Sequence, residues 1–132
     1  MPIIQVLGLP PDVPQPALGK LIRHIQGGVS DVPVLGIPAN EVFVFFPPDL
    51  VIENLGEELI AQISGLFERQ ERTAKVLDDL RHAICAQLAM FAQQFLPQCR
   101  TVEVYIVSTI KPDELTIYEK KPEGAFLQVK LE

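Results

Sequence analysis

Two short apolar runs with an amphipathic segment between them open this chain, and that order restricts the folds it can adopt. Residues 3–7 form an apolar run ended by glycine and proline, as in a buried strand. Pro14 and Pro16 suit the first turn of a helix, because a missing N–H has no energetic cost there. Apolar residues then recur at helical spacing: Leu18, Leu21, Ile22, Ile25 and Val29. We expect Gly27 and Gly28 to end this helix, and residues 42–46 to form a second strand.

The same order recurs in the second half of the chain. Residues 59–67 predict a third strand, and residues 70–95 predict the longest helix. One apolar stripe follows that helix: Leu77, Leu80, Ile84, Leu88, Phe91 and Phe95. Residues 102–107 then predict a fourth strand, because their apolar and polar side chains largely alternate.

Three shorter segments complete the pattern. Val51 and Ile52 are candidates for a short extra strand. Residues 116–118 and 126–131 predict two short strands near the C-terminus, on either side of a segment rich in turn-forming residues. These segments lie outside the repeated strand–helix–strand order, so we treat them as additions to it.

The repeated order predicts the fold class. We expect a single domain over residues 1–132, with a first unit at about 2–47, a second at about 58–108 and a C-terminal extension at 109–132. A helix that joins two strands of one sheet implies parallel, right-handed pairing. The prediction is an α+β fold, in which tandem β-α-β units form a four-stranded mixed sheet with two helices on one face, plus short extra strands.

One face of this sheet has no predicted element to cover it. Either Ile3 or Ile4, and either Phe43 or Phe45, must point to that face, because successive strand residues face opposite sides. The chain is 48% hydrophobic, with a mean hydropathy of +0.23, which is high for a small monomer. Both observations indicate association with other subunits through the sheet.

Charge and cysteine content exclude several classes of function. The chain has 11 Lys and Arg against 17 Asp and Glu, a net charge of −6, so we expect it to bind neither nucleic acid nor an anionic membrane surface. No apolar run approaches the length of a membrane span. Cys85 and Cys99 lack metal-type spacing. We therefore expect reduced thiols, a cytoplasmic location, and no metal or organic cofactor.

Two short stretches resemble a known family. The start of the chain, Met-Pro-Ile-Ile-Gln-Val, resembles the N-terminus of the tautomerase superfamily, which contains oxalocrotonate tautomerase and macrophage migration inhibitory factor. Residues 60–63 and 68–72 resemble the opening strand and the arginine-bearing turn of the short tautomerases. The stretch Phe-Glu-Arg-Gln at 67–70 also resembles an uncharacterised bacterial family of that fold. The resemblance covers the order of elements over about residues 2–110.

The resemblance implies a site and a chemistry. Pro2, once N-terminal, would act as general base, and Arg69 with Arg72 would bind a small anionic enol or keto acid. In the short tautomerases the proline and the arginine lie ten residues apart in one unit. Here Asp12 lies ten residues after Pro2, whereas Leu59 lies ten residues before Arg69. The proline and the arginine are therefore divided between the units. The resemblance also implies a homotrimer. Related dehalogenases bind a carboxylate with a similar arginine pair, so a hydration reaction is an alternative to tautomerisation.

Other interpretations of the same residues stay open. Tyr105 and Tyr118 are the candidates for an accessory acid. Glu68 and Glu71 could pair with the arginines and leave no free charge for a substrate. The alternative function is a non-catalytic oligomeric protein of this fold, which binds ligands or partners.

We interpret His24 and His82 as surface residues of helices rather than catalytic groups. Pro2 has an amide nitrogen as long as Met1 is attached, and an amide has no useful basicity. Catalysis by Pro2 therefore requires removal of Met1.

Overall fold

The computed structural model describes residues 1–129 and contains two long helices and eight strands. The helices are α1 (Gln15–Ser30) and α2 (Ala74–Phe95). The strands in chain order are β1 (Ile3–Leu7), β2 (Phe43–Phe45), β3 (Glu58–Ser64), β4 (Leu66–Phe67), β5 (Thr101–Ile106), β6 (Thr109–Ile110), β7 (Ile117–Lys120) and β8 (Phe126–Val129). All four main predicted strands and both helices are present, with some changes at their ends.

The main sheet has the strand order β2-β1-β3-β5. β1 pairs with β2 in parallel across α1, and β3 pairs with β5 in parallel across α2. The two units join through the antiparallel pairing of β1 with β3, in which Ile3 lies opposite Ser64. The predicted α+β fold, with its mixed four-stranded sheet built from tandem β-α-β units, is therefore confirmed.

Burial alternates along the strands and separates the two sheet faces. Ile4, Val6, Ala61 and Ile63 are fully buried, and they form one core with the apolar stripes of the helices. Their sequence neighbours point to the opposite face. Phe45 is 50% exposed there, opposite Gln5, so this face of the sheet carries aromatic side chains in contact with water among polar ones.

The prediction that two glycines end α1 is wrong. Gly27 and Gly28 lie inside the helix, which continues to Ser30. Gly28 is buried against α2, where an added Cβ would lie 3.6 Å from the Ala83 carbonyl oxygen. The Gly27 carbonyl accepts a hydrogen bond from the Asp31 N–H at 2.9 Å. Tertiary packing and these helical hydrogen bonds outweigh the low helix propensity of glycine.

Two further boundaries differ from the prediction because side-chain hydrogen bonds decide them. α2 begins at Ala74 rather than at residue 70, since the Thr73 hydroxyl caps the helix by accepting the Val76 N–H. Val51 and Ile52 form no strand. The Val51 N–H donates to the Asp49 carboxylate at 3.0 Å, and this local turn replaces pairing with another strand.

The predicted third strand, 59–67, is broken in two by Gly65. Gly65 has φ +78°, a conformation that residues with a Cβ rarely adopt, and it separates β3 from β4. β4 then pairs with β6, a strand that the sequence did not predict. The two predicted C-terminal strands appear as the β7–β8 hairpin. Residues 130 and 131 of the predicted strand 126–131 lie outside the described residues.

Replacing Gly65 with alanine should destabilise the protein by at least about 1–2 kcal/mol, the usual cost of a left-handed residue with a Cβ. The new Cβ would also lie 2.6 Å from the Met1 carbonyl oxygen, so the N-terminus would have to move. Urea unfolding measures the loss. Gly27→Ala is the matched control, because its new methyl group would meet no atom of residues 1–129 within 4 Å beyond its own helix backbone, and alanine favours helix. Equal stability of Gly65→Ala and the native protein would contradict the argument.

Neither α1 nor α2, nor any shorter helix within residues 1–129, has both the length and the apolar character that crossing a membrane requires.

Candidate functional site

The antiparallel pairing of β1 with β3 places the N-terminus beside the end of β3. Pro2 precedes β1 and is buried, and its carbonyl accepts the Phe43 N–H at 3.1 Å. Gly65 lies next to the Met1 carbonyl and lets the two backbones approach closely. The chain turns at Gly65, runs through β4, and enters the loop 68–73 that precedes α2. This geometry brings the N-terminus and that loop to one region of the protein.

The loop holds the Arg72 guanidinium in a fixed position. Nη1 donates to the Phe67 carbonyl at 2.8 Å, and Nη2 donates to the Leu35 carbonyl at 3.1 Å. Among residues 1–129, Nε of Arg72 is buried and has no hydrogen-bond partner. Because Nε is shielded from solvent, an anion in the cavity would meet the guanidinium at its terminal nitrogens, each of which carries a second N–H group.

The acidic neighbours in the loop do not form ion pairs with the arginines within residues 1–129. Glu68 accepts a hydrogen bond from the Thr109 hydroxyl at 3.2 Å, so it faces β6. Within the described part of the chain, neither Arg69 nor Arg72 forms an ion pair with a carboxylate. Burial and the positive charge of Arg69 lower the pKa of Arg72, and Glu71 only partly offsets this. The two guanidinium groups therefore lie close enough for the charge of one to act on the other.

Pro2, Arg69 and Arg72 all line one cavity of about 670 Å³. Its walls come from the N-terminus, the segment 34–37, the arginine loop and the C-terminal extension. The structure thus brings together the proline of the first unit and the arginines of the second. Both arginines precede α2, so they lie in a loop rather than at a helix start.

Three carboxylates of the cavity were not predicted from the sequence. Glu41, Glu71 and Glu119 line it together with the arginines. Glu71 was considered only as an ion-pair partner. Glu41 lies in a short turn before β2, and Glu119 lies on β7 in the extension. The single sequence carries no motif that would have identified these two, since long-range contacts place them at the site.

The same surroundings change the pKa of the N-terminal amine. Burial lowers the pKa of the Met1 amine below its usual value near 8, and Arg72 and Arg69 lower it further, while Glu41 raises it. A lowered pKa means that the neutral, basic form of the amine persists to lower pH. The cavity therefore favours a neutral amine, as a general base requires.

Changing these charges should move the pKa of the amine in opposite directions. Arg72→Ala should raise the pKa of the Met1 amine, because a nearby positive charge disfavours the ammonium form. Glu41→Gln should lower it for the opposite reason. NMR titration of isotope-labelled Met1 measures both shifts. An amine pKa that neither substitution moves would show that these charges do not act on the N-terminus.

The structure does not bring the two tyrosines to this cavity in the single chain. Tyr105 lies on the exposed sheet face, where the Gln62 amide donates to its hydroxyl. Tyr118 lies on β7 and is 58% exposed, with its neighbours Ile117 and Glu119 on the cavity side. His24 and His82 are exposed on the helices, as expected.

The same fold occurs in proteins of known structure. A fused 4-OT, wild type, in an asymmetric trimer is similar with a TM-score of 0.66 and 16% identity, over 87% of this chain and 91% of that chain. The chain has the tautomerase fold. N1, a member of the cis-3-chloroacrylic acid dehalogenase family, is similar to this tautomerase-like chain with a TM-score of 0.62 and 22% identity, over 95% and 82% of the two chains.

A third similar structure bears on the expected bacterial family. A domain of unknown function (DUF1904) from Sebaldella termitidis ATCC 33386 has a TM-score of 0.56 and 11% identity, over 96% of this tautomerase-like chain and all of that one. No family model matches the sequence, and no curated protein matches it either. At these identities the similarity establishes the fold.

Proposed function

We propose that the protein is a tautomerase or isomerase that acts on a small carboxylate-bearing enol or keto acid. The observation that carries the proposal is the meeting of Pro2, Arg69 and Arg72 on one cavity. They come from both units of the chain, yet they line the same cavity beside the N-terminus. The fold that it shares with a fused 4-OT supports the same reaction class.

In this proposal the arginines bind the carboxylate of the substrate. The two terminal nitrogens of Arg72 donate to backbone carbonyls, and each carries a second N–H group that can donate to a carboxylate. Arg69 adds a second positive charge, and no carboxylate of the described residues forms an ion pair with it. An anion between the two groups would relieve their repulsion and accept hydrogen bonds from them.

Pro2 supplies the base after Met1 has been removed. Its nitrogen is then a secondary amine at a buried position, where desolvation and both arginines favour the neutral form. The nitrogen takes the proton of the enol hydroxyl, the oxygen electron pair forms the C=O bond, and the former C=C bond takes a proton back from the ammonium. The arginines stabilise the enolate charge between these transfers.

The test follows ketonisation of an aryl enolpyruvate in the ultraviolet, using protein shown by intact mass to lack Met1. We expect a rate above that of buffer alone, with saturation by substrate. An oxo acid without the enol should compete. Protein that binds unsaturated carboxylates without accelerating their ketonisation or hydration would contradict the proposal.

That last outcome would instead support a ligand-binding protein without catalysis. One observation favours this second candidate: neither Tyr105 nor Tyr118 lines the cavity of the single chain, so no accessory phenol acid is present there. Removal of Met1 decides between the two, because a catalytic protein gains activity with the free proline and a binding protein does not.

We further propose that the protein is a homotrimer that covers the exposed sheet face. Phe43 and Phe45 are 42% and 50% exposed on that face, beside Tyr105. The fused 4-OT with the same fold is described as a trimer. Burying these aromatic side chains against other copies would remove their unfavourable contact with water, and it would place Tyr105 at the interface between subunits.

Analytical ultracentrifugation should give a mass of three times the 14.7 kDa chain. Phe45→Asp should shift the mass towards that of one chain, because a charge buried in an apolar interface is costly. Met90→Asp, on the exposed side of α2, is the control and should leave the trimer intact. A native protein that sediments as a single chain would exclude the trimer.

A further inference from the structure

Most of the cavity wall is apolar. Of the nineteen residues that line it, twelve are apolar, two are glycines and five are charged. Among residues 1–129 it has no serine, threonine, asparagine, glutamine, histidine or tyrosine in its lining. A polar group of a ligand that lies away from the five charged side chains would lose its water without gaining a side-chain partner. The apolar part of the wall therefore favours an apolar ligand tail.

The size of the cavity also favours a ligand with an apolar tail. A volume of about 670 Å³ is far larger than a three-carbon acid requires, and it lies within the range of sites that enclose larger organic ligands. Ile110, Leu115 and Ile117 of the C-terminal extension form an apolar wall of it. This wall would pack against a ligand tail and leave a short acid poorly enclosed.

The charges limit the ligand to one carboxylate. Two arginines face three carboxylates, Glu41, Glu71 and Glu119, across the same cavity. Glu119 lies on β7 and lines the cavity beside Ile117, on the wall that the C-terminal extension builds. A second carboxylate of a ligand that extends along this wall would be repelled by the charge of Glu119.

We infer that the site selects a monocarboxylate with an extended apolar tail, and that Glu119 on β7 rejects acids with a second carboxylate at the far end. This inference rests on the proposed function, since it takes Arg69 and Arg72 as the carboxylate site. The C-terminal extension is then the specificity-determining wall, with apolar residues that bind the tail and one acidic residue that excludes a dianion.

The test uses two matched series of straight-chain 2-oxo acids, titrated by calorimetry into full-length protein without Met1. One series ends in a methyl group, and the other ends in a carboxylate at the same length. Each added methylene should tighten binding of the first series about three- to fourfold until the cavity is full. The dicarboxylates should bind more weakly than their monocarboxylate partners.

Glu119→Gln should reduce the ratio of affinities between monocarboxylates and dicarboxylates about fivefold, which is the scale expected for an exposed charge pair. Glu123→Gln is the control. It removes the same charge from an exposed turn outside the cavity and should leave the affinities for both series unchanged. Dicarboxylates that bind as well as monocarboxylates, or affinity independent of tail length, would overturn the inference and leave the carboxylate site standing. If no acid of either series binds, the proposed function fails, and the inference fails with it.

Discussion

Converting the Pro2 nitrogen of the Met1-free protein into a urea should lower kcat for ketonisation by about 10²–10⁴-fold, the usual contribution of a general base. Mild carbamylation with cyanate does this selectively near neutral pH, because the lowered pKa of a buried N-terminal amine leaves it neutral where lysine side chains are charged. The urea nitrogen has no useful basicity, although the arginines remain free to bind substrate. We therefore expect kcat to fall and KM to change little.

Pro2→Ala should have a smaller effect on the same reaction, because an N-terminal alanine still carries a basic amine. Its rate should fall below that of the native protein, since the unrestrained primary amine is less well positioned. Pro16→Ala, at the first turn of α1, is the matched control and should retain full activity. Full activity in both the carbamylated protein and Pro2→Ala would rule out Pro2 as the base.

Replacing Arg72 with alanine should weaken binding of a monocarboxylate by about 30- to 1,000-fold, corresponding to roughly 2–4 kcal/mol for loss of a hydrogen-bonded charge pair. Arg72→Lys should recover little of this, because lysine has no planar group that could hold the Phe67 and Leu35 carbonyls and bind an anion at once. Isothermal titration calorimetry with an inert 2-oxo acid gives the dissociation constants.

Arg72 also anchors two backbone carbonyls, so its loss should lower stability as well as affinity. Arg69→Ala separates the two effects, because no side-chain hydrogen bond from Arg69 to the rest of residues 1–129 holds the fold. It should weaken binding while leaving urea unfolding nearly unchanged. Arg23→Ala, on the exposed side of α1, should alter neither property. Unchanged affinity in both Arg69→Ala and Arg72→Ala would exclude the anion site.

Local patterns predicted the elements well where one force dominates. The run at 3–7 and the long stripe of α2 were identified because buried strands and amphipathic helices have distinct periodicities. The predictions failed where a second force competes. Helix packing keeps Gly27 and Gly28 inside α1, and an Asp49 turn replaces pairing at Val51.

The candidate site was predictable only in part. The resemblance to tautomerases predicted Pro2, Arg69 and Arg72 as site residues, and the structure shows that all three line one cavity. The same resemblance could not identify Glu41 and Glu119, because neither belongs to a recognisable motif. Their approach to the site depends on how the turn before β2 and the C-terminal extension fold over it.

The order of strands and helices follows from the amino-acid pattern alone, because the periodicity of apolar side chains is a local property of each segment. The same pattern predicts that one sheet face carries exposed apolar side chains. Which residues share the cavity depends on the tertiary fold. The antiparallel pairing of β1 with β3 joins Pro2 to a loop some seventy residues away, the φ of Gly65 turns the chain towards that loop, and β7 adds Glu119. Such contacts depend on the packing of the whole chain, which no single segment encodes.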